Sequence, residues 1–297
     1  GNSDITGIQM LSGTWNAYNN VVLLDNSPYT NNLVVYGLEE NEAAATTSCY
    51  HNTVKIGGSI ASGSAASYAF YRGGAGTDNV KNNIFQNLRA GGTGGHYAEF
   101  ANAGGTYVTN NNYLEVSADP NKIGNLGGTN YDFVNWKSIS GALKDLNGAI
   151  ALDATGKVTT NPFIGAGTGA NLMATVPDDK LGTTRGAAPW MGALEGQNIT
   201  TSAISPLTYC AGAAVSVPYT IGGSGSFNGG NIFTAELSDA TGDFSSPAAI
   251  GTLASTTSGT IAAVIPGPTP SGTNYRIRVV SSDPIITGSD NGSDITI

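Results

Sequence analysis

The sequence predicts an all-β chain in which a parallel β-helix over residues 1–196 is followed by a β-sandwich over residues 197–297. Three observations lead to this prediction. Only 11% of the 297 residues are charged and 42 are Gly, a composition typical of strands and turns. A segment with a fixed asparagine recurs about every 30 residues in the first part. After Gly196 the repeats end and short alternating runs begin.

The first part is a repeat that carries an asparagine at one fixed place in four segments: Asn20, Asn52, Asn83 and Asn112. The intervals between them are 32, 31 and 29 residues. A drifting period of this size is typical of a solenoid whose loops vary in length while its strands do not. A short apolar strand follows each asparagine and a second short strand precedes it, so each coil is predicted to contain at least two strands.

Alternation with a period of two assigns the faces of the strand that follows each asparagine. The residues two positions further on are predicted to point inward: Val22, Val54, Phe85 and Leu114. The asparagines share this parity, so their amides are predicted to stack from coil to coil as an internal ladder. His51 lies in the neighbouring row, where the other coils have Asn19, Asn82 and Asn111, and we interpret it as a substitute in that row.

These repeats resemble the right-handed parallel β-helix domains of secreted bacterial proteins, which include pectate-lyase-like enzymes and many non-catalytic surface proteins. Residues 133–136, residues 161–164 and a D-x-x-G-x-x-R segment that starts at Asp179 and runs on to Glu195 resemble the closing coils of that family. The resemblance covers residues 1–196. It implies that Asp179, Arg185 and Glu195 are structural and cap the open end of the helix, where strand edges are otherwise unpaired. A catalytic Asp–Arg–Glu set is the alternative.

Residues 197–297 have a different character, with no Lys, His or Trp and with Arg276 and Arg278 as their only basic residues. Alternating runs at 215–219, 233–237 and 275–280 are separated by turns of Gly, Ser and Pro. This spacing is typical of an antiparallel sandwich of about 100 residues. Tyr275, Ile277 and Val279 are predicted to face its core.

The second domain is similar to an immunoglobulin-like (Ig-like) module that occurs, often in tandem, in large proteins exported by the type IX secretion pathway. The matching stretches are residues 204–206, 209–212, 217–219, 231–239, 275–282 and 288–294. The resemblance implies an Ig-like sandwich that acts as an extracellular spacer or adhesive module and is usually followed by more such modules or a sorting domain. The implied location is the bacterial cell surface.

Charge and apolar patterning exclude several function classes. Twelve Lys and Arg against 21 Asp and Glu give a net charge of −9, so there is no basic stripe for nucleic acid or for an anionic membrane surface. No apolar run reaches the roughly 18 residues of a membrane span. Cys49 and Cys210 lie in different predicted domains, so we expect no disulfide and interpret both as buried small hydrophobic residues. The first residues form no signal segment, and we interpret the chain as a mature or partial product.

An enzymatic alternative depends on carboxylates. A lyase or glycosidase on a β-helix lines an outward face with clustered acids, often with Ca²⁺ and a basic residue, or places two acids across a sugar bond. The best such set in this chain comprises Glu99 and Glu115, with Arg72 and Lys81 one coil below. The densest acidic group, formed by Glu39, Glu40 and Glu42, is predicted to lie in a solvated loop rather than in a metal site.

Aromatic residues carry the binding hypothesis. Tyr36, Tyr71 and Phe100 fall at matching positions in successive coils, beside Tyr68 and Tyr97. Such columns form core if they face inward, or a sugar-stacking platform or protein-contact strip if they face outward. The sequence leaves both alternatives open.

The sequence therefore favours a non-catalytic extracellular surface protein: an adhesin, a stalk or a filament segment. Its expected partners are a glycan or a surface protein, with copies of itself or further Ig-like modules as others, and no nucleic acid. The alternative is a polysaccharide lyase or glycoside hydrolase that acts on an outward face of the β-helix. No cofactor is predicted, and Ca²⁺ is the ion that the alternative would use.

Overall fold

The computed structural model divides the chain into two compact units, Gly1–Glu195 and Gly196–Ile297. It describes residues 4–25, 32–41, 46–141, 143–159, 169–185, 189–223 and 226–297. Each unit has its own hydrophobic core.

The first unit is a parallel β-solenoid of about four coils, as predicted. The first two coils contain β1 (Ile5–Met10), β2 (Thr14–Tyr18), β3 (Val21–Leu24), β4 (Val35–Glu40), β5 (Thr46–Tyr50), β6 (Thr53–Ile56) and β7 (Ser59–Ile60). The next two contain β8 (Ser67–Arg72), β9 (Thr77–Lys81), β10 (Ile84–Asn87), β11 (Ala90–Gly91), β12 (His96–Ala101), β13 (Thr106–Asn110) and β14 (Tyr113–Val116).

The coils form three main parallel sheets, called here face A, face B and face C. Face A contains β1, β4, β8 and β12, face B contains β2, β5, β9 and β13, and face C contains β3, β6, β10 and β14. Each coil thus has a third main strand, on face B, beyond the two that were apparent in the sequence. The face B strands are poor in apolar residues on either side, so hydrophobic alternation does not reveal them.

The core runs along the solenoid axis. The predicted inward residues Val22, Val54, Phe85 and Leu114 pair in register on face C and are buried. Leu38 and Phe70 of face A lie in the same core. Burial of each large apolar side chain contributes about 1.5–3 kcal/mol, so the interior of the solenoid is its main source of stability.

The last coil closes with short irregular elements. A 3-10 helix (Pro120–Lys122) precedes the antiparallel hairpin of β15 (Gly124–Leu126) and β16 (Thr129–Tyr131), which extends face A. The helix α1 (Phe133–Ser140) follows, and β17 (Leu146–Asn147) pairs with β14 on face C. Trp136 of α1 is fully buried in the core. A Cβ at Gly124 would lie 2.2 Å from its ring, so glycine is required there.

A C-terminal segment of the first unit covers the outer side of face C. We call this segment, residues 149–159, 169–185 and 189–195, the strap. The side chain of Gln86 donates to Ile150 O at 2.9 Å, and Ala193 N donates to Thr53 Oγ1 at 3.0 Å. Ile150 and Met191 of the strap share a small apolar cluster with Ile84 of face C. Residues 161–164, which were assigned to a closing coil, lie outside the described residues.

The second unit is all-β. Its strands are β18 (Asn198–Thr201), β19 (Ala214–Gly222), β20 (Ile232–Leu237), β21 (Ala248–Ala254), β22 (Gly259–Val264), β23 (Ile277–Ser282) and β24 (Ile285–Asp290). Tyr275, Ile277 and Val279 face the core, as predicted. Cys210 is exposed, so the prediction that both cysteines are buried is wrong for Cys210, whereas Cys49 of the first unit is buried.

The predicted two-sheet sandwich is not what this unit forms. All seven strands belong to one sheet, in the order β21-β20-β23-β24-β18-β19-β22, and the end strands β21 and β22 approach each other to make it nearly closed and barrel-like. The halves join where Thr200 of β18 pairs with Ser289 of β24. A Cβ at Gly288 would lie 2.8 Å from Ile199 O, so the missing side chain permits this join, which alternation along single strands does not reveal.

Candidate functional site

The outer side of face A carries a patch of aromatic rings. Each of β4, β8 and β12 has two adjacent buried residues in mid-strand, Gly37–Leu38, Ala69–Phe70 and Ala98–Glu99. The small first residue of each pair is inward, since a Cβ at Gly37 would lie 2.3 Å from the Val54 side chain. Because of this extra inward residue, the outward positions are three residues apart, and two outward columns run along the solenoid.

The register assigns the rings to these columns. Tyr36, Tyr68 and Tyr97 pair in the first column. Tyr71 and Phe100 pair in the second column, and the residue of β4 in that column is Glu39. The expectation that Tyr36 matches Tyr71 and Phe100 is therefore wrong by one column. We call these five rings the aromatic platform.

The rings contact each other along and across the columns. In the first column the ring centroids are 5.3 Å apart for Tyr36–Tyr68 and 5.6 Å apart for Tyr68–Tyr97, with nearly parallel planes. In the second column Tyr71 and Phe100 stack at 5.3 Å. Edge-to-face contacts near 5 Å join the columns, as between Tyr68 and Phe100 at 72°. Both geometries are favourable for aromatic pairs, so the platform is an ordered surface.

The platform faces outward, which decides between the two alternatives that the sequence left open. Four of its rings are partly exposed and Tyr97 is 8% exposed. Tyr97 lies over Gly95, where a Cβ would come within 2.3 Å of its ring. Burial raises the pKa of the Tyr36 phenol to about 12, with further contributions from Tyr71 and Glu39. The phenol is therefore a neutral hydrogen-bond donor at ordinary pH.

A polar group adjoins the platform at its first-coil end. Glu39 is 5% exposed, and its Oε2 accepts hydrogen bonds from Thr6 Oγ1 at 3.1 Å and from Gln9 Nε2 at 2.9 Å. Thr6 and Gln9 are the β1 members of the first and second columns. Glu39 and Glu40 end β4 and are buried, so their assignment to a solvated loop is wrong; Glu42 lies outside the described residues.

The acid set of the enzymatic alternative is not assembled. Glu99 lies inside the solenoid, where its carboxylate accepts from Tyr107 at 2.8 Å and from Thr109. Burial raises its pKa to about 7 although both donors lower it. Glu115 lies on face C, where Gln86 Nε2 and Ile150 N donate to it. The two adjacent inward residues of β12 place Glu99 inward, which the simple alternation did not anticipate.

The basic members of that set also point apart. Arg72 is buried and pairs with Asp78 at 2.5 Å, while its other nitrogens donate to Asn102 O and Gly76 O. Lys81 lies on face B in register with Tyr50. A groove of about 520 Å³ beside α1 contains Glu115 and Asp132, but Asp132 caps α1 by accepting from Asn135 N. Neither acid of the groove is free of hydrogen bonds.

The asparagine ladder has the predicted position and is a structural element. The side chain of Asn83 is representative: its Oδ1 accepts from both N and Nδ2 of Asn52, and its Nδ2 donates to Asn112 Oδ1 and to Cys49 O. Asn20 donates to Asn52 in the same way. Each rung thus satisfies backbone and amide groups that are buried at the bend between faces B and C.

The ladder has a fifth rung that the sequence reasoning missed. Asn112 N donates to Asp145 Oδ1 at 2.7 Å, in the geometry by which the other rungs receive their neighbours. Asp145 is fully buried, and burial followed by the charge of Glu99 raises its pKa well above the usual value. Asp145 follows Asn112 by 33 residues, so the repeat spacing was a signal that could have identified it.

The row beside the ladder attaches the strap. Asn19, His51, Asn82 and Asn111 all have φ between 54° and 59°, the left-handed region that asparagine tolerates better than most residues. Asn82 exchanges hydrogen bonds with the backbone of Ala170, and Asn19 Nδ2 donates to Asp178 O. Burial, and then Arg185, lowers the pKa of His51 to about 3, so it stays neutral. His51 thus occupies the row as the sequence predicted.

Asp179, Arg185 and Glu195 lie together at the end of the strap. Arg185 forms a buried ion pair with Glu195 and also donates to Asn19 Oδ1 at 2.7 Å. Asp179 accepts from Leu181 N, from Thr183 N and from Glu195 N. Both carboxylates and both Nη atoms of Arg185 bond to protein groups. We call the three residues the clasp, because they hold the strap to the first coil.

Three further findings concern metal sites, membrane-spanning helices and relatives of the chain. Within the described residues, no three His, Cys, Asp or Glu side chains are grouped so as to hold a metal ion. In the same part of the chain no helix has the length and apolar character needed to cross a membrane. Comparison of the chain with protein-family models, with curated proteins and with solved structures finds no match.

Proposed function

We propose that the chain is a non-catalytic extracellular surface protein that binds a glycan through the aromatic platform. The observation that carries the proposal is the regular outward stack of Tyr36, Tyr68 and Tyr97, flanked by Tyr71 and Phe100. Contiguous aromatic surface of this kind is unusual on a protein without a partner. Tyrosine combines an apolar ring with a polar tip, which suits a ligand that has apolar ring faces and hydroxyl groups.

A glycan fits the platform better than a folded protein does, because the platform is periodic. Its rings repeat every 5.3–5.6 Å along the coils, and a polysaccharide is a ligand with its own short repeat. The surface of a globular protein without structural repeats has no such period to match. The hydrogen-bonded group of Thr6, Gln9 and Glu39 supplies the few polar contacts that orient a ligand on an apolar surface.

The wider context belongs to the same proposal. The right-handed winding is the one that connections between parallel strands nearly always adopt. The sequence resemblance alone supports four further parts of the proposal. These are the Ig-like identity of the second unit, export by the type IX pathway, a cell-surface location, and further modules or copies of the chain as partners. Non-catalytic binding needs no cofactor, and the excess of acidic residues disfavours nucleic acid.

The test of the proposal is an incubation of the full chain with acidic and neutral polysaccharides, with and without Ca²⁺. Retention on a polysaccharide is followed together with reducing ends and unsaturated products. We expect retention without turnover. Turnover that Glu99→Ala or Glu115→Ala abolishes would instead establish the lyase or hydrolase alternative, for which the described residues provide no assembled outward acid pair.

Two tyrosine variants locate the binding surface. Tyr68→Ala removes the central ring of the platform, and we expect it to weaken retention about tenfold, since the lost ring contact and phenol hydrogen bond are together worth about 1.4 kcal/mol. Tyr50→Ala is the matched control, because Tyr50 stacks on Tyr18 at 5.2 Å on face B. Equal losses in the two variants would show that the platform is not the binding surface.

A further inference from the structure

We infer that the ligand of the platform is an uncharged glycan chain that lies along the solenoid axis, and that Glu39 is the polar anchor that accepts its hydroxyl groups. This inference rests on the proposed function and adds the charge class, the direction and one specificity-determining residue. It is carried by the outward residues of face A, by their register and by the hydrogen bonds of Glu39.

The charges around the platform select against an acidic ligand. The outward residues in register with the two columns are Thr6 and Gln9 in β1, Glu39 in β4 and Asn125 in β15. Among these only Glu39 is charged, and none is basic. Asp4 lies close enough to affect the Tyr36 phenol, which adds a second acid at that end. A uronate or sulfated glycan would meet repulsion there, and none of these outward residues is a Lys or Arg that could offset it.

The direction of the chain follows from the columns. Both columns cross the strands and run from coil to coil, and the second reaches from Gln9 through Glu39, Tyr71 and Phe100 to Asn125. A linear ligand that lay along a single strand would meet at most two outward positions of that strand. A ligand along the axis meets three stacked rings in the first column, and therefore gains the most contact.

Glu39 has one carboxylate oxygen available to a ligand. Its Oε2 is occupied by Thr6 Oγ1 and Gln9 Nε2. Among the described residues no hydrogen bond to Oε1 is formed. Oε1 is also not among the fully buried polar atoms without a partner. The residue is 5% exposed and its carboxylate is fixed by two donors, so Oε1 is a preorganised acceptor beside Tyr71. Hydrogen bonds to an ionised acceptor are about twice as strong as neutral ones.

The test is electrophoresis of the full chain through native gels that contain one polysaccharide each. Hydroxyethylcellulose and galactomannan serve as neutral chains, and polygalacturonate and alginate serve as acidic chains. Glu39→Gln keeps an oxygen for Thr6 and Gln9 but replaces the free acceptor by an amide donor. Glu115→Gln on face C is the matched control. Circular dichroism of each variant verifies that the fold is retained.

We expect retardation by at least one neutral chain, none by the acidic chains, and a loss of about tenfold in affinity for Glu39→Gln against none for Glu115→Gln. Preferential retardation by an acidic chain that Tyr68→Ala abolishes would overturn the charge class and leave the proposed function intact. Unchanged affinity of folded Glu39→Gln for a neutral chain would overturn the role of Glu39. Retardation by none of the four would refute the proposed function as well.

Discussion

Face A and face C are built by the same coils, yet the strap covers face C while the outward rings of face A stay partly exposed. The difference lies in what the outward residues can bind. Next to face C, Asn19 and Asn82 present amides that pair with the strap backbone, and Ile84 adds apolar contact. The platform offers rings and phenol groups but no comparable row of amides. A solenoid face is thus covered where its side chains can satisfy a passing backbone.

The largest expected effect is a loss of stability when the Arg185–Glu195 ion pair of the clasp is broken. Release of the strap would leave face C uncovered, as face A is. Arg185→Ala leaves the buried Glu195 without its partner, and breaking such a pair costs about 3–5 kcal/mol. All three tryptophans, Trp15, Trp136 and Trp190, are in the first unit, so their fluorescence during urea unfolding reports on this unit alone. We expect a loss of that size in its free energy of unfolding, with glycan retention by the folded variant unchanged.

Lys180→Ala removes an exposed basic residue of the same strap and is the control for Arg185→Ala. It should change the free energy of unfolding by less than about 0.5 kcal/mol. A second variant separates charge from packing: replacing both Arg185 and Glu195 by apolar residues removes the unpaired charge and should recover most of the loss. If Arg185→Ala and Lys180→Ala are equally stable, the clasp does not hold the strap.

The asparagine ladder lies at the bend between faces B and C. Its loss therefore tests the stability of the coils themselves and not the attachment of the strap. Asn83→Ala removes a buried amide that makes four hydrogen bonds and leaves the buried Asn52 N without its acceptor. We expect a cost of about 3 kcal/mol. Asn20→Ala, in the partly exposed first rung, should cost about 1 kcal/mol. Equal losses of unfolding free energy in the two variants, measured by urea unfolding, would contradict a ladder whose hydrogen bonds contribute more where they are more buried.

The success of sequence reasoning for the ladder and its failure for face A have one physical cause. Asn83 and its counterparts were recognisable because they recur at one place in each coil. Each is followed two residues later by an inward apolar residue, which is Phe85 in the case of Asn83. On face A the adjacent buried residues Gly37 and Leu38 break the period of two. The sequence therefore identified the rings, but neither their columns nor the inward position of Glu99.

Other features depend on contacts between segments that are far apart in the chain. The role of Glu39 depends on two donors from the preceding coil, Thr6 and Gln9. The single sheet of the second unit depends on the pairing of Thr200 with Ser289. Neither pairing leaves a local pattern. The clasp was predicted as structural by resemblance, but its actual partner, Asn19 in the first coil, could be found only from the fold.

The smallest expected effect concerns the fifth rung of the ladder, where an acid stands in place of the amide. Asp145 has a raised pKa in the folded state. Its contribution to stability is therefore fully present below its unfolded pKa and is lost as the pH rises through the folded value. Asp145→Asn supplies the uncharged amide at every pH. We expect it to stabilise the first unit by about 1 kcal/mol at pH 8 and to make no difference near pH 4.

Glu99 has the same sign of pH dependence, because its pKa is raised from 4.5 to about 7. The Glu99 contribution to stability should thus be lost as the pH rises from about 4.5 through 7. Buried His51, whose pKa is lowered to about 3, gives the opposite slope below about pH 6.5. Each acid is therefore measured as the difference between the variant and the wild type, and Asp145→Asn should remove only part of the acid-linked loss. Adding Glu99→Gln should remove most of the remainder. Urea unfolding at several pH values, followed by tryptophan fluorescence, measures both. Variant and wild-type profiles that run parallel between pH 4 and 8 would mean that neither buried acid is proton-linked to folding. The hydrogen bond from Asn112 N to Asp145 would then form whether or not the carboxyl group is protonated.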